Sequence, residues 1–175
     1  LFVCAIIIFI QFARDLIDIR PFWIDEIFTF YHSNGGEWKD FIGQTASGLN
    51  RMPPLYFIIT KFLFDGDTFL HNCRLLSVFF SIISFWLLYR ILRFWLTRIY
   101  SFLISIITFF GSNLFIEYSI EARPYSMALM ISVAFVYYVI KIEFKKKLLK
   151  SDSILLCVLC LLLPSTHYVY GLTAL

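Results

Sequence analysis

Asp25 and Glu26 are the residues whose types and positions point most directly to chemistry. They stand side by side in PFWIDEIFTF, a stretch otherwise rich in aromatic and aliphatic residues. A carboxylate near a low-dielectric environment binds its proton more tightly unless a cation lies beside it, and this property suits a general base. The alternative is that both acids stabilise the start of a helix and face water. Spacing alone leaves both interpretations open.

Arg74 and Arg123 form a second candidate group, suited to binding a phosphate. Arg123 precedes Pro124 in EARPYSM, and the residue before a proline is driven out of helical geometry, so Arg123 should lie at the beginning of a helix. Arg74 occupies a comparable place in HNCRLLSVFF. A helix amino-terminus favours anions, and the planar guanidinium group matches a phosphate. The alternative is that each arginine pairs with a glutamate or anchors the protein at lipid headgroups.

Glu117, Glu121 and His167 are further polar candidates. The two glutamates are four residues apart and would share a face on a continuous helix, where they could bind a metal, hold Arg123 or be solvated. His167 could contact a polar substrate. Since the sequence has no zinc motif and no phosphate-binding glycine loop, it indicates no particular cofactor, and a divalent metal stays open.

The composition places these residues in a membrane protein. Of the 175 residues, 60% are hydrophobic and 21 are Phe, and the mean hydropathy is +0.80, which is too apolar for a soluble domain of this size. Because the chain begins and ends inside apolar runs, we expect it to be an interior part of a longer protein.

The apolar runs predict an all-α, polytopic membrane helix bundle. The predicted spans are about 1–13, 75–91, 99–116, 124–140 and 153–164, with a sixth beginning near 168. Lys and Arg follow the second and fourth spans, which places those connections in the cytoplasm. The loop of residues 14–74 then faces outward, and its six Lys/Arg against eight Asp/Glu agree with that side.

The long outer loop is predicted to hold short helices that lie at the membrane interface. In RMPPLYFIITKFLF, the apolar run from Pro54 to Phe64 is about half as long as a membrane crossing requires. Proline is favoured in the first turn of a helix, so a short helix should begin near Pro53 or Pro54. Apolar residues at helical spacing in IDEIFTFYH predict a second short helix over 24–32.

Five stretches occur in an order typical of one group of membrane enzymes. They are WIDE at 23–26, PPLYFIITKFLF at 53–64, CRLLSVFFSIISFWLLYRI at 73–91, IEYSIEARPYSM at 116–127 and THYVYGL at 166–172. Together they resemble the GT-C membrane glycosyltransferases. The family in question, glycosyltransferase family 39, contains the dolichyl-phosphate-mannose protein mannosyltransferases and their bacterial relatives acting on lipid A and cell-surface glycans. The likeness is to the amino-terminal half of that family's membrane module.

The resemblance implies roles for individual residues. Asp25 would be the catalytic base, supported by Glu26, and Arg74 would lie near the phosphate of the donor. The residues expected to bind the substrate are Arg74, Glu121, Arg123, Tyr125, His167 and Tyr56. The chain departs from the pattern at Met52, where bacterial members often carry histidine.

The resemblance also implies the reaction. A sugar would move from a polyprenyl-phosphate donor to a hydroxyl of a glycan, lipid or protein acceptor, and a single displacement would invert the anomeric centre. A carboxylate takes the proton of the hydroxyl, while cations stabilise the departing phosphate. The site would face outward from a bacterial cytoplasmic membrane, and no nucleic-acid partner is expected.

Two other functions remain open at this point. A transporter would carry ionisable residues deep within its spans together with broken spans near the midplane. A catalytically inactive scaffold of the same fold would retain the helices without the reaction.

Overall fold

The computed structural model describes residues 2–34, 36–47, 52–145 and 150–166, and these residues form nine helices and no strands. In chain order the helices are α1 Phe2–Ile19, α2 Ile24–Ser33, α3 Trp38–Ala46, α4 Leu55–Leu63, α5 Phe69–Leu92, α6 Arg98–Phe110, α7 Asn113–Ser119, α8 Tyr125–Lys145 and α9 Lys150–Thr166. Helices α5 and α8 are long and apolar enough to cross a membrane, and α6 with α7 would add a third crossing if counted as one bent span. The described part of the chain is therefore all-helical, with two or three candidate spans.

Helices α5 and α8 lie side by side at the centre of the fold. Phe80 of α5 packs with Met127 and Ile131 of α8, and α9 adds Leu159 and Leu163 to the same apolar cluster. Along α5, small hydroxyl residues are buried at Ser77, Ser81 and Ser84, and small residues let neighbouring helices approach closely. The packing of α5 against α8 therefore determines the positions of the polar residues at both ends of the bundle.

Helix α1 runs antiparallel to α5. Phe2 at its start stacks on Phe85 with ring centroids 5.2 Å apart, while Ile17 near its end packs with Val78. The helix continues to Ile19, six residues past the predicted end of the first span at Ala13. The continuation is explained by the buried face of α1, where Phe9, Ala13 and Ile17 follow one another at four-residue spacing.

Helices α2 and α4 occur where short helices were predicted, and α3 between them was not predicted. Helix α2 presents its polar residues inward, because Glu26, Thr29 and Ser33 are buried while Phe28 and Tyr31 are exposed. This is the reverse of a helix on a water-soluble protein, and it agrees with an apolar face that contacts lipid.

The predicted third span, residues 99–116, is broken in the structure. Helix α6 ends at Phe110, and α7 starts at Asn113 after a bend of 78°. A side chain at Gly111 would overlap the carbonyl group of Ile107, and Ser112 accepts a hydrogen bond from the Phe115 N–H group at 3.3 Å. Glycine therefore permits the break, and a serine cap starts the new helix.

Candidate active site

Glu26 and Arg74 form a buried ion pair at the end of the bundle where α1, α2 and α5 meet. The side chain of Glu26 is 0% exposed and that of Arg74 is 1% exposed. Arg74 Nε donates to Glu26 Oε1 at 2.8 Å, and Arg74 Nη2 donates to Glu26 Oε2 at 2.6 Å. Two parallel hydrogen bonds of this kind are among the strongest that side chains make.

The remaining N–H groups of Arg74 are also occupied. Nη1 donates to the carbonyl groups of Ile17 and Arg20 at 3.1 and 2.9 Å, and Nη2 donates to the carbonyl of Pro21 at 3.0 Å. With Glu26, these contacts use all five N–H groups of the guanidinium. Arg74 also lies in the second turn of α5, because that helix begins at Phe69. Arg74 therefore has no N–H group left for the phosphate contact that was expected of it. Its contacts favour a role in joining the end of α1 to α2.

Glu26 accepts two backbone hydrogen bonds in addition to those from Arg74. The Trp23 N–H group donates to Oε2 at 3.0 Å, and the Ala122 N–H group donates to Oε1 at 2.8 Å. Burial by itself raises the pKa of Glu26, but the hydrogen bonds from Arg74, Ala122 and Trp23 more than compensate, and the pKa lies below its ordinary value. Glu26 is therefore held as a charged carboxylate. Both of its oxygens already accept two hydrogen bonds, so it is not placed to act as a general base.

Asp25 lies beside this buried pair and is open. Its side chain is 61% exposed, and its Oδ2 atom lies 3.8 Å from Nη2 of Arg123. Arg123 Nη1 also donates to the backbone carbonyl of Asp25 at 3.3 Å. The structure thus brings together two residues 98 positions apart that the sequence had placed in separate groups.

Arg123 has hydrogen-bonding capacity left over. Its side chain is only 8% exposed, yet its Nε atom has no hydrogen-bond partner among the described residues. It immediately precedes Pro124 and the start of α8 at Tyr125, as the sequence predicted. A buried N–H group without a partner costs free energy, so Arg123 keeps a hydrogen-bond donor that the fold itself does not use.

Glu121 pairs with Arg20, and this contact differs from those considered for it. Arg20 Nη2 lies 3.3 Å from Glu121 Oε1. Burial raises the pKa of Glu121, and Arg20 partly opposes that change. Glu121 does not share a helical face with Glu117, because α7 ends at Ser119. Among the described residues, no three His, Cys, Asp or Glu side chains come close enough to hold a metal ion.

The three remaining candidates have different positions. Tyr56 is fully buried and lies against Cys73 and Ser77, so it does not line an open site, and burial raises the pKa of its hydroxyl well above the usual value. Tyr125 is partly exposed and stacks on Tyr118 with ring centroids 4.6 Å apart. His167 lies outside the described residues.

A cavity of about 150 Å³ lies next to Tyr125, between α5, α7 and α8. Its wall includes Tyr118, Tyr125, Ser81 and Ser126. The hydroxyl groups of both serines are buried and have no hydrogen-bond partner among the described residues. No sequence pattern marks these serines, because each is a single small polar residue inside an apolar helix. Only packing reveals that they border the same cavity.

No protein-family model, curated protein or solved structure matches this chain. Its function is therefore inferred from the geometry of the site and from the five sequence stretches.

Proposed function

We propose that this protein is an integral-membrane glycosyltransferase that moves a sugar from a polyprenyl-phosphate donor to an acceptor hydroxyl, with inversion, at the extracytoplasmic face. The observation that carries the proposal is that two adjacent acids have different environments. Glu26 is buried and fully hydrogen-bonded, whereas Asp25 is exposed beside Arg123. Glu26 thus has a structural role, and the carboxylate of Asp25 is accessible to a substrate.

The contacts of Asp25 and Arg123 suit the two charge changes of the reaction. The acceptor hydroxyl loses a proton as it attacks the anomeric carbon, and Asp25 would take that proton. The bond between the sugar and the phosphate oxygen breaks, and Arg123 would stabilise the departing phosphate with its guanidinium, whose Nε has no hydrogen-bond partner among the described residues. A donor aimed at developing charge is worth about 3 kcal/mol.

Arg74 is a positioning residue in this proposal. It fixes Glu26 and the carbonyl groups of residues 17, 20 and 21, and these contacts set the start of α2 where Asp25 lies. The phosphate contact that the family resemblance gives to Arg74 is assigned here to Arg123, because among the described residues Arg123 Nε has no hydrogen-bond partner whereas every N–H group of Arg74 has one.

The placement of charge favours an enzyme over a transporter. Residues 75–89 of α5 and 125–140 of α8 contain no Asp, Glu, Lys or Arg. The acidic and basic residues of these helices lie at their ends instead, whereas a transporter pathway requires ionisable residues near the membrane centre. A site at one membrane face also lets the isoprenoid part of a donor remain in the bilayer.

Measured sugar transfer by the complete membrane protein tests the proposal. The Asp25→Asn variant should transfer sugar from polyprenyl-phosphate donors, such as the mannose form, about 10²- to 10⁴-fold more slowly. The Arg123→Gln variant should be slower by about 10²- to 10³-fold. Glu117→Gln changes an exposed acid without an ion pair among the described residues and serves as the control. If a correctly inserted Asp25→Asn protein transferred sugar as fast as wild type, Asp25 would be excluded as the base. If the wild-type protein transferred sugar to no acceptor, the inactive scaffold would be favoured.

A further inference from the structure

A second polar pocket lies at the opposite end of α5 from the candidate active site. Its volume is about 510 Å³, and it is lined by Trp86, Tyr89, Arg90, Arg93, Phe94 and Arg98. Helix α5 has 24 residues and is about 36 Å long, which is roughly the thickness of a bilayer. The pocket and Asp25 are therefore near opposite membrane faces.

Two of the three arginines are fixed in place with donors to spare. Arg90 Nη2 donates to the hydroxyl of Tyr137 at 3.3 Å, and its guanidinium lies 5.3 Å from the centre of the Trp86 ring. Arg93 Nη1 donates to the carbonyl of Leu96 at 2.6 Å. A guanidinium has five N–H groups. Each of these two side chains donates one hydrogen bond to the protein, so its other N–H groups stay open to a ligand.

Arg98 contributes both a charge and a helix terminus. It begins α6, and its side chain is exposed and makes no hydrogen bond or ion pair with other described residues. The residue before it, Thr97, makes no side-chain cap with the first N–H groups of α6. Uncapped N–H groups and the helix dipole both favour an anion at this point.

The pocket lacks a counter-charge from the protein. The ion pairs among the described residues are Arg20–Glu121, Arg74–Glu26, Arg123–Asp25 and Lys141–Asp152. None of them involves Arg90, Arg93 or Arg98. Three guanidinium groups around one cavity without a carboxylate repel one another, and binding an anion would relieve this repulsion.

We propose that this pocket binds the phosphate of an anionic phospholipid from the adjacent leaflet, which the distribution of Lys and Arg assigns to the cytoplasmic side. Arginine matches phosphate geometry, and basic pockets between membrane helices are suited to anionic headgroups. Trp86 and Tyr89 add the amphipathic rings that favour the headgroup level. A free phosphate has the same chemistry, but a pocket at this level of a membrane-crossing helix is supplied directly by lipid. The site does not depend on sugar transfer, and the Asp25→Asn protein should retain it.

Lipid binding to the purified complete protein tests this site, measured by native mass spectrometry with phosphatidylglycerol or phosphatidylcholine. Wild type should retain phosphatidylglycerol preferentially. Each arginine near a charged headgroup contributes about fivefold in affinity, so replacing Arg90, Arg93 and Arg98 together with Gln should weaken phosphatidylglycerol binding on the order of 100-fold. Arg98→Gln alone removes no contact with described residues and should cause about a fivefold loss even if the triple variant does not fold.

Arg14→Gln is the matched control, since Arg14 is an exposed arginine in the half of α1 nearest the candidate active site. It should retain lipid like wild type. Inorganic phosphate is added in a separate arm against chloride at equal ionic strength, and displacement of the lipid by phosphate alone would show that both occupy the same pocket. Equal retention of the two lipids, unchanged binding in Arg98→Gln, or binding of inorganic phosphate without any preference for phosphatidylglycerol would overturn the proposal.

Discussion

At the scale of single residues, helix geometry separates the two neighbouring acids. Successive side chains in an α-helix point about 100° apart, so Asp25 and Glu26 at the start of α2 cannot face the same environment. Glu26 points inward to Arg74, and Asp25 points outward beside Arg123. The pair that looked like one site in the sequence is a structural acid next to an open one.

Replacing Glu26 with Gln should destabilise the protein strongly. The substitution leaves the buried Arg74 without its charged partner, and breaking a buried ion pair in this way costs about 3–5 kcal/mol. Thermal unfolding in detergent measures the effect as a lower midpoint temperature. Glu117→Gln, which alters an exposed acid, should unfold like wild type, and an equal midpoint for the two variants would contradict the structural role of Glu26.

The contribution of Glu26 should also depend on pH. Its pKa is lowered in the folded state, so the stability it adds is present above the unfolded pKa of about 4.3 and is lost as the pH falls through the folded pKa. The difference in midpoint between wild type and Glu26→Gln should stay constant from about pH 7 to about pH 5 and shrink in more acidic buffer. A difference that persists unchanged in strong acid would argue against a charged Glu26.

At the scale of helices, α2 turns an apolar face away from the protein. Phe28 and Tyr31 are exposed, while Thr29 and Ser33 are buried. A photoreactive benzoyl-phenylalanine in place of Phe28 should therefore crosslink to lipid in membranes. The same amino acid in place of the exposed loop residue Asp65 should give few lipid adducts. Mass spectrometry of the crosslinked protein measures both, and adducts to protein alone at position 28 would contradict a lipid-facing α2.

The bend between α6 and α7 depends on Gly111. Gly111→Ala should lower the midpoint of thermal unfolding, because its methyl group would overlap the Ile107 carbonyl and force the backbone to move, at a cost of about 1–3 kcal/mol. Gly43→Ala is the matched control, since that helical glycine has open space around it and alanine is the better helix former. A destabilised Gly43→Ala protein with an unaffected Gly111→Ala protein would show that the break does not need glycine.

At the scale of the whole molecule, the two ends of α5 should lie on opposite sides of the membrane. A cysteine in place of Asp65 should react with an impermeant maleimide added to intact cells, and a cysteine in place of Thr97 should react only after lysis. Cys4, Cys157 and Cys160 are replaced first, whereas the buried Cys73 can stay. Labelling of both positions from the same side would overturn the arrangement of α5 across the bilayer and, with it, the separation of the two proposed sites.

Much of the helical structure follows from local patterns. Apolar runs predicted α5 and α8, and helical spacing predicted α2 over nearly its full length. The helix bounds differ from the predicted spans where a single residue or a distant contact decides. Gly111 divides a run that is apolar enough for one span, and the end of α1 is fixed by packing on α5.

The sequence by itself determined that the chain is helical and apolar enough for a membrane, and which few polar residues could do chemistry, because hydropathy, periodicity and residue type are local properties. The tertiary structure decided which of those residues are still free to act. Arg74 contacts Glu26, 48 residues away in the chain, and all of its N–H groups are hydrogen-bonded. Arg123 contacts Asp25, 98 residues away, and its Nε–H group has no hydrogen-bond partner among the described residues. The occupancy of a donor depends on groups brought together from distant parts of the chain, so no local pattern contains it.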